Sequence, residues 1–189
     1  MLSYDDTQTG LVYTGTVAAG YPPTTAGIFA TGAQITGLSS GTVYTNTGTS
    51  AVPVWSGDAV ATVSLTAANL IAMYATPVMV VAPVAGRAII VDSVDLVIAR
   101  TATAFTGGGT VAVQYDSTIN GAGTATHATI AAAVVTGAAG TTYTARIPVV
   151  LSDVASASIA GLGLFVSNIT AAFAAGTGTA TLSVHYHLV

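Results

Sequence analysis

The chain has 189 residues, of which only 5% are charged, and a net charge of −4, against about 25% charged residues in a typical soluble domain. It contains no Lys, no Glu and no Cys, so disulfides, thiolate metal sites and lysine or thiol nucleophiles are excluded. Arg87, Arg100 and Arg146 are its three basic residues, too few and too scattered to neutralise a row of phosphates or an anionic lipid surface.

The length suits one compact domain with an extended arm, or two small domains. Residues 1–57 are poor in long apolar runs and rich in Gly, Thr and Tyr. Leu11 to Val17 predicts a short strand. Tyr21-Pro22-Pro23-Thr24 favours an extended path, because proline fixes its own φ and restricts its predecessor. Gly41 to Gly48 predicts a second strand ended by a turn. This region reads either as an extended N-terminal arm or as a small β subdomain.

From residue 58 onward, β-type apolar segments recur at short intervals, and 58–189 reads as one domain. Ala59 to Leu65 opens it. Thr66 to Ala72 predicts one helical turn capped by Thr66. Pro77 to Val81 is an apolar strand, and Pro83 to Gly86 a turn. Arg87 to Arg100 is the longest strand candidate; its apolar phase shifts between Val91 and Val94, which predicts a bulge near Asp92-Ser93. Thr101 to Gly109 is a loop. Thr110 to Tyr115 and Thr124 to Ile130 are strands joined across Asn120-Gly121, a strong turn signal. Ala131 to Val135 continues the strand or turns helical. Thr141 to Val149 gathers Tyr143, Ala145, Ile147 and Val149 on one face. Ala160 to Val166 is another strand. Thr179 to Leu188 places Leu182, Val184, Tyr186 and Leu188 on one face and Thr181, Ser183, His185 and His187 on the other. About eight strands with almost no helix predict an all-β fold: an antiparallel β-sandwich of jelly-roll topology, preceded by the N-terminal arm.

The mean hydropathy of +0.74 raises a membrane reading. Pro77, Pro83, Gly86 and Arg87 break the most apolar stretch, Ala67 to Val91, below the ~20 residues that a spanning helix needs. Asp5 and Asp6, with no basic residue beside them and no apolar core, do not read as a signal peptide. The expectation is a product made in a cytoplasm.

Little in the chain carries chemistry. The sequence has no G-x-S-x-G elbow and no phosphate-binding glycine loop with its lysine. Asp92 and Asp95 lie three apart on a strand, on opposite faces unless the bulge realigns them, and read as solvated acids rather than a glycosidase pair. His185 and His187 share a strand face and are the candidate metal ligands. No third ligand is identifiable, so a polar intersubunit or solvent face is the better reading. Asn168-Ile169-Thr170 matches a glycosylation sequon, with no secretion signal to give it meaning. The expectation is therefore no enzyme, no catalytic residue, no cofactor and no metal.

Two segments carry a resemblance. Gly41-Thr-Val-Tyr-Thr-Asn-Thr-Gly-Thr-Ser-Ala-Val-Pro-Val-Trp55 is similar to a stretch in tailed-phage structural proteins that joins an N-terminal part to a β-domain. Leu65 to Val91, with its Leu65-Thr66 turn, Thr76-Pro77-Val78 strand and Ala82-Pro83-Val84-Ala85-Gly86-Arg87 turn, resembles phage head-decoration (cement) and head-fibre proteins that open a jelly-roll-like sandwich. The chain lacks a collagen-like repeat and a fibre stalk, which favours a compact cap. The resemblance implies a homotrimer bound to the major capsid protein on the outside of a virion, without nucleic acid or membrane. It and the arm reading together make Tyr21, Pro22, Pro23, Tyr44, Asn46, Pro53 and Trp55 the candidate partner-binding residues. The competing readings are a tail or head-fibre adhesin for host glycan, and a shell or connector subunit.

Overall fold

Where apolar residues alternate with Thr and Ser, the backbone is extended; where Gly and Pro cluster, it turns. A computed structural model of the chain describes residues 12–15, 29–37, 43–53, 55–117, 119–149 and 155–189. The chain divides into two units, Met1–Val60 with His187–Val189, and Ala61–Tyr186. Most of its structure is antiparallel β-sheet. Among the described residues, no helix is long and apolar enough to cross a membrane.

The first unit holds β1 (Val12–Gly15), β2 (Gln34–Gly37), β3 (Val43–Asn46) and β4 (Trp55–Ser56), hydrogen-bonded in that order. β1 and β2 run parallel; the other pairs are antiparallel. Phe29, Ala33, Ile35 and Trp55 form a buried cluster of its own, with Tyr44 packed against it. The Phe29 and Trp55 rings meet edge to face, with centroids 5.1 Å apart, the geometry that the ring quadrupoles favour.

The second unit holds, wholly or for the greater part, β5 (Ala59–Thr66), α1 (Ala67–Ala72), β6 (Val78–Val81), β7 (Ile89–Arg100), β8 (Thr106–Gly107), β9 (Val111–Tyr115), β10 (Thr124–Ile130), α2 (Ala132–Val135), β11 (Thr142–Pro148), α3 (Ser156–Ile159), β12 (Leu164–Asn168), β13 (Phe173–Ala174) and β14 (Gly178–Leu188). One four-stranded sheet has the order β11-β7-β14-β5 and the other β10-β9-β12-β6; β13 and β8 form a small ribbon. α1 starts where expected: the Thr66 hydroxyl accepts from the Asn69 N–H, and the Asn69 side chain returns a bond to the Thr66 N–H, a reciprocal cap.

The predicted phases hold in the long strands. On β14, Ala180, Leu182, Val184 and Leu188 are buried, while Thr181 on the other face is exposed and Ser183, His185 and His187 are half-buried. On β7, Ile89 and Val91 are buried at odd positions and Val94, Leu96 and Ile98 at even ones, so the inward face changes phase at Asp92-Ser93. Tyr115 of β9 crosses to the other sheet, its hydroxyl donating to the Ile89 carbonyl at 2.6 Å; burial pushes this phenol up to about 12. The segment Ala160 to Val166 starts later than its composition suggests: α3 and a turn at Gly161 precede β12. Gly107-Gly108-Gly109 is a place of close approach, since a Cβ on Gly108 would fall 2.0 Å from the Phe173 ring.

Candidate functional site

The sheet β11-β7-β14-β5 offers a polar outer face. Residues directly opposite in an antiparallel pair project to the same side. The register sets Arg146 opposite Asp95, Thr144 opposite Val97 and Pro148 opposite Ser93, while Ala145 and Ile147 stand opposite the buried Leu96 and Val94. Hydroxyl side chains therefore line this face on β5, β14 and β11. Thr62 and Ser183, on β5 and β14, are 2.9 Å apart, Oγ1 to Oγ.

A charged knot lies at its centre. One oxygen of Asp95 stands 3.6 Å from the Arg146 Nε, and the other stands 3.0 Å from the His185 Nε2. Arg146 also donates to the Ser93 hydroxyl at 3.3 Å. Both carboxylate oxygens of Asp95 are thus engaged by neighbours on the two flanking strands. The phase change in β7 turns Asp92, which is exposed, to the same side as Asp95. Of the two candidate metal ligands, His185 is taken up by Asp95. His187, in the other unit, has a ring nitrogen within 4.8 Å of an Asp58 carboxylate oxygen. Arg146 did not stand out in the sequence; the alternation of β7 and β11, once paired, is the signal that finds it.

The residues expected to meet a partner lie elsewhere. Tyr21, Pro22 and Pro23 fall outside the described residues. Tyr44 is half-buried, and Asn46, Pro53 and Trp55 are buried, with Trp55 at 0% exposure. The Asn46 side chain donates to the carbonyls of Phe29 and Ala30, at 2.9 and 3.0 Å, and accepts from the Gly48 N–H at 3.0 Å. The expectation of a partner-facing surface is thus met by enclosed side chains: the Tyr-x-Asn-x-Gly and Pro-x-Trp spacings build the interior of the first unit. Trp55 is its largest apolar group, and Asn46 ties the Phe29 and Ala30 carbonyls to the Gly48 N–H.

Part of the outer face of the other large sheet, around Gln114 and Ser167, is closed, while Met79 on β6 and Thr129 on β10 remain exposed. Gln114 of β9 and Ser167 of β12 project away from the inter-sheet core, yet both are buried, together with Ser117 in the loop after β9. Ser117 donates to Ser167 at 3.4 Å, Ser167 to the Gln114 Oε1 at 3.1 Å, and the Gln114 Nε2 to the Gly123 carbonyl at 3.1 Å. Described residues between β9 and β10 pack against them: a Cβ on Gly123 would lie 2.9 Å from the Gln114 Cβ and 2.8 Å from the Ser117 Cβ. A Cβ on Gly121 would lie 2.5 Å from the Ile169 Cα, and the Asn120 N–H donates to the Tyr74 carbonyl at 2.6 Å. Asn168, the sequon asparagine, is 0% exposed and donates to the Ala171 carbonyl at 2.9 Å. It serves the turn after β12.

No family model matches the chain, and no curated protein or solved structure does.

Proposed function

We propose that the chain is a non-enzymatic structural protein of a phage virion, which binds the outside of the capsid as a homotrimer and stabilises the shell as a decoration or cement protein. The proposed fold of its second unit is an antiparallel β-sandwich of jelly-roll topology. The observation that carries this reading is the strand order. Counting the longer strands of the two large sheets in chain order, the first neighbours the eighth (β5 and β14) and the second the seventh (β6 and β12). The third neighbours the sixth (β7 and β11) and the fourth the fifth (β9 and β10). That is the pairing of one long hairpin wrapped into two sheets, the jelly-roll pattern found in capsid domains.

The motif resemblance at residues 41–91 points the same way. So does the outer face of β11-β7-β14-β5, whose hydroxyl groups cost less to desolvate than charged groups and can re-form hydrogen bonds across an interface. A chain without Lys, Glu or Cys has few of the groups that enzymes use as nucleophiles or proton carriers. Trp55, enclosed as it is, provides no stacking platform for a glycan, which favours the decoration role over an adhesin. For residues 1–57 we favour the small β subdomain over the extended arm, on the strength of the four-stranded sheet and its cluster around Trp55.

The test is analytical ultracentrifugation of the full chain, followed by co-sedimentation with expanded and unexpanded shells of a tailed phage that encodes it. A trimer that binds expanded shells and raises their heat resistance is expected. A monomer that leaves both kinds of shell unbound overturns the proposal.

A further inference from the structure

The chain has four asparagines, Asn46, Asn69, Asn120 and Asn168, and the structure treats one of them differently. The carboxamides of Asn46 and Asn168 are buried and hydrogen-bonded to backbone groups. That of Asn69 closes the cap of α1. The residues that follow these three are Thr47, Leu70 and Ile169, each with a branched side chain beside the next backbone nitrogen. Asn120 is exposed and is followed by Gly121. Both have left-handed backbones, with φ of 51° and 67°, a conformation that Asn and Gly tolerate best. The turn ties the N–H of Asn120 to Tyr74 and that of Ala122 to Ile119. Among the described residues nothing accepts from the Gly121 N–H, and nothing bonds the Asn120 carboxamide.

We infer that Asn120 is a site of spontaneous deamidation, through attack by the Gly121 backbone nitrogen on its side-chain amide. Asparagine is among the chemically labile residues of proteins, and glycine leaves the following nitrogen unshielded. The Gly121 nitrogen gives its proton to solvent base and bonds to the Asn120 Cγ. The Cγ–Nδ2 bond breaks, and ammonia leaves with a proton from water. The five-membered succinimide then adds one water. Opening at Cγ gives an ordinary aspartate at position 120. Opening at the main-chain carbonyl gives an isoaspartyl link, in which the backbone runs through Cβ and is longer by one carbon.

Either product places a new negative charge in a loop that already holds Asp116. The isoaspartyl product also lengthens a loop whose seat on Ile169 leaves no room at Gly121, so it lifts the cover from Gln114, Ser117 and Ser167. The inference concerns the chain itself and stands or falls apart from the proposed function.

The experiment incubates the folded full chain in mildly alkaline buffer at physiological temperature, beside the same chain unfolded in urea. Peptide mapping with fragmentation that separates aspartate from isoaspartate follows the amide at each asparagine. Loss of the Asn120 amide before any of the other three, with both products formed, is the expected result. Asn120→Gln should abolish that signal, and Asn120→Asp should give the charge shift with no isoaspartate. If the folded chain keeps its Asn120 amide over a period in which the unfolded chain loses it, the turn shields the site and the inference is overturned. Earlier loss at Asn46, Asn69 or Asn168 overturns it as well.

Discussion

The two large sheets of the second unit both carry polar residues on the faces turned away from their buried apolar side chains, and these polar residues have opposite fates. On β11-β7-β14-β5, Thr62, Thr181, Thr144 and Arg146 remain exposed. On β10-β9-β12-β6, Gln114 and Ser167 are buried, and Gln114 is bonded to the Gly123 carbonyl in the segment after β9. The difference teaches that strand alternation fixes which way a side chain points, while a covering loop decides whether its polar atoms need protein partners. On the open face, water replaces any lost bond. On the closed face, each bond must be made within the chain.

Substitutions that lift the cover should hurt most. Gly121→Val places a branched side chain at a left-handed φ of 67° and against the Ile169 backbone. It should cost about 3 kcal/mol or more, read as a lower denaturant midpoint. Gln114→Leu keeps the backbone contacts of Gly121 and Gly123 but removes the acceptor of the Ser167 hydroxyl and the donor to the Gly123 carbonyl. A loss of about 1–3 kcal/mol is expected, from the same chemical denaturation series.

Tyr115 joins the two sheets, so its effect falls between those of the two faces. Tyr115→Phe removes the bond to Ile89 and should cost about 1–1.5 kcal/mol at neutral pH. Its phenol is raised from 10.0 to about 12 in the folded chain, so the unfolded chain gives up this proton first as pH rises. The stability it supplies is complete below about pH 10 and drains away between about pH 10 and 12. The Phe variant should lack that part of the alkaline loss, which thermal melts across this window would reveal.

The open face should respond least. Asp95→Asn breaks the contacts with Arg146 and His185, but solvent reaches all three groups, and a change of at most about 1 kcal/mol is expected. The same substitution made in high salt should cost less still. A cost from Asp95→Asn as large as that from Gln114→Leu would show that the open face is as dependent on its bonds as the closed one.

Much of this arrangement was legible in the residues. Leu182, Val184 and Leu188 alternate without interruption because β14 is buried on one side only, and the shift after Val91 announced the phase change in β7. Thr66 announced the cap and Asn120-Gly121 the turn. The closed face was not legible. Gln114 alternates with Val113 and Tyr115, Ser167 lies just past the predicted strand Ala160 to Val166, and nothing local to either says that Gly121 and Gly123 pack in beside this part of the sheet. Trp55 misled for a related reason. In a region without long apolar runs, an aromatic looks available to a partner, whereas Phe29, Ala33 and Ile35 reach it from up to 26 positions away. Cores assembled from distant residues leave no period to read.

Arg100 has a consequence for the edge of the open sheet. It is buried at the end of β7, and its guanidinium is satisfied by the carbonyls of Val134 and Ala138 and by the Thr141 hydroxyl, just before β11. Near the other end of the same pairing, Arg146 holds Asp95 and Ser93. Sliding β11 by one residue would turn Ile147 to solvent and Arg146 inward, and it would have to unfasten both clasps together. An edge strand secured in this way does not fray from its tip. It stays zipped or comes away whole, so its amide protons should exchange together, as one cooperative block.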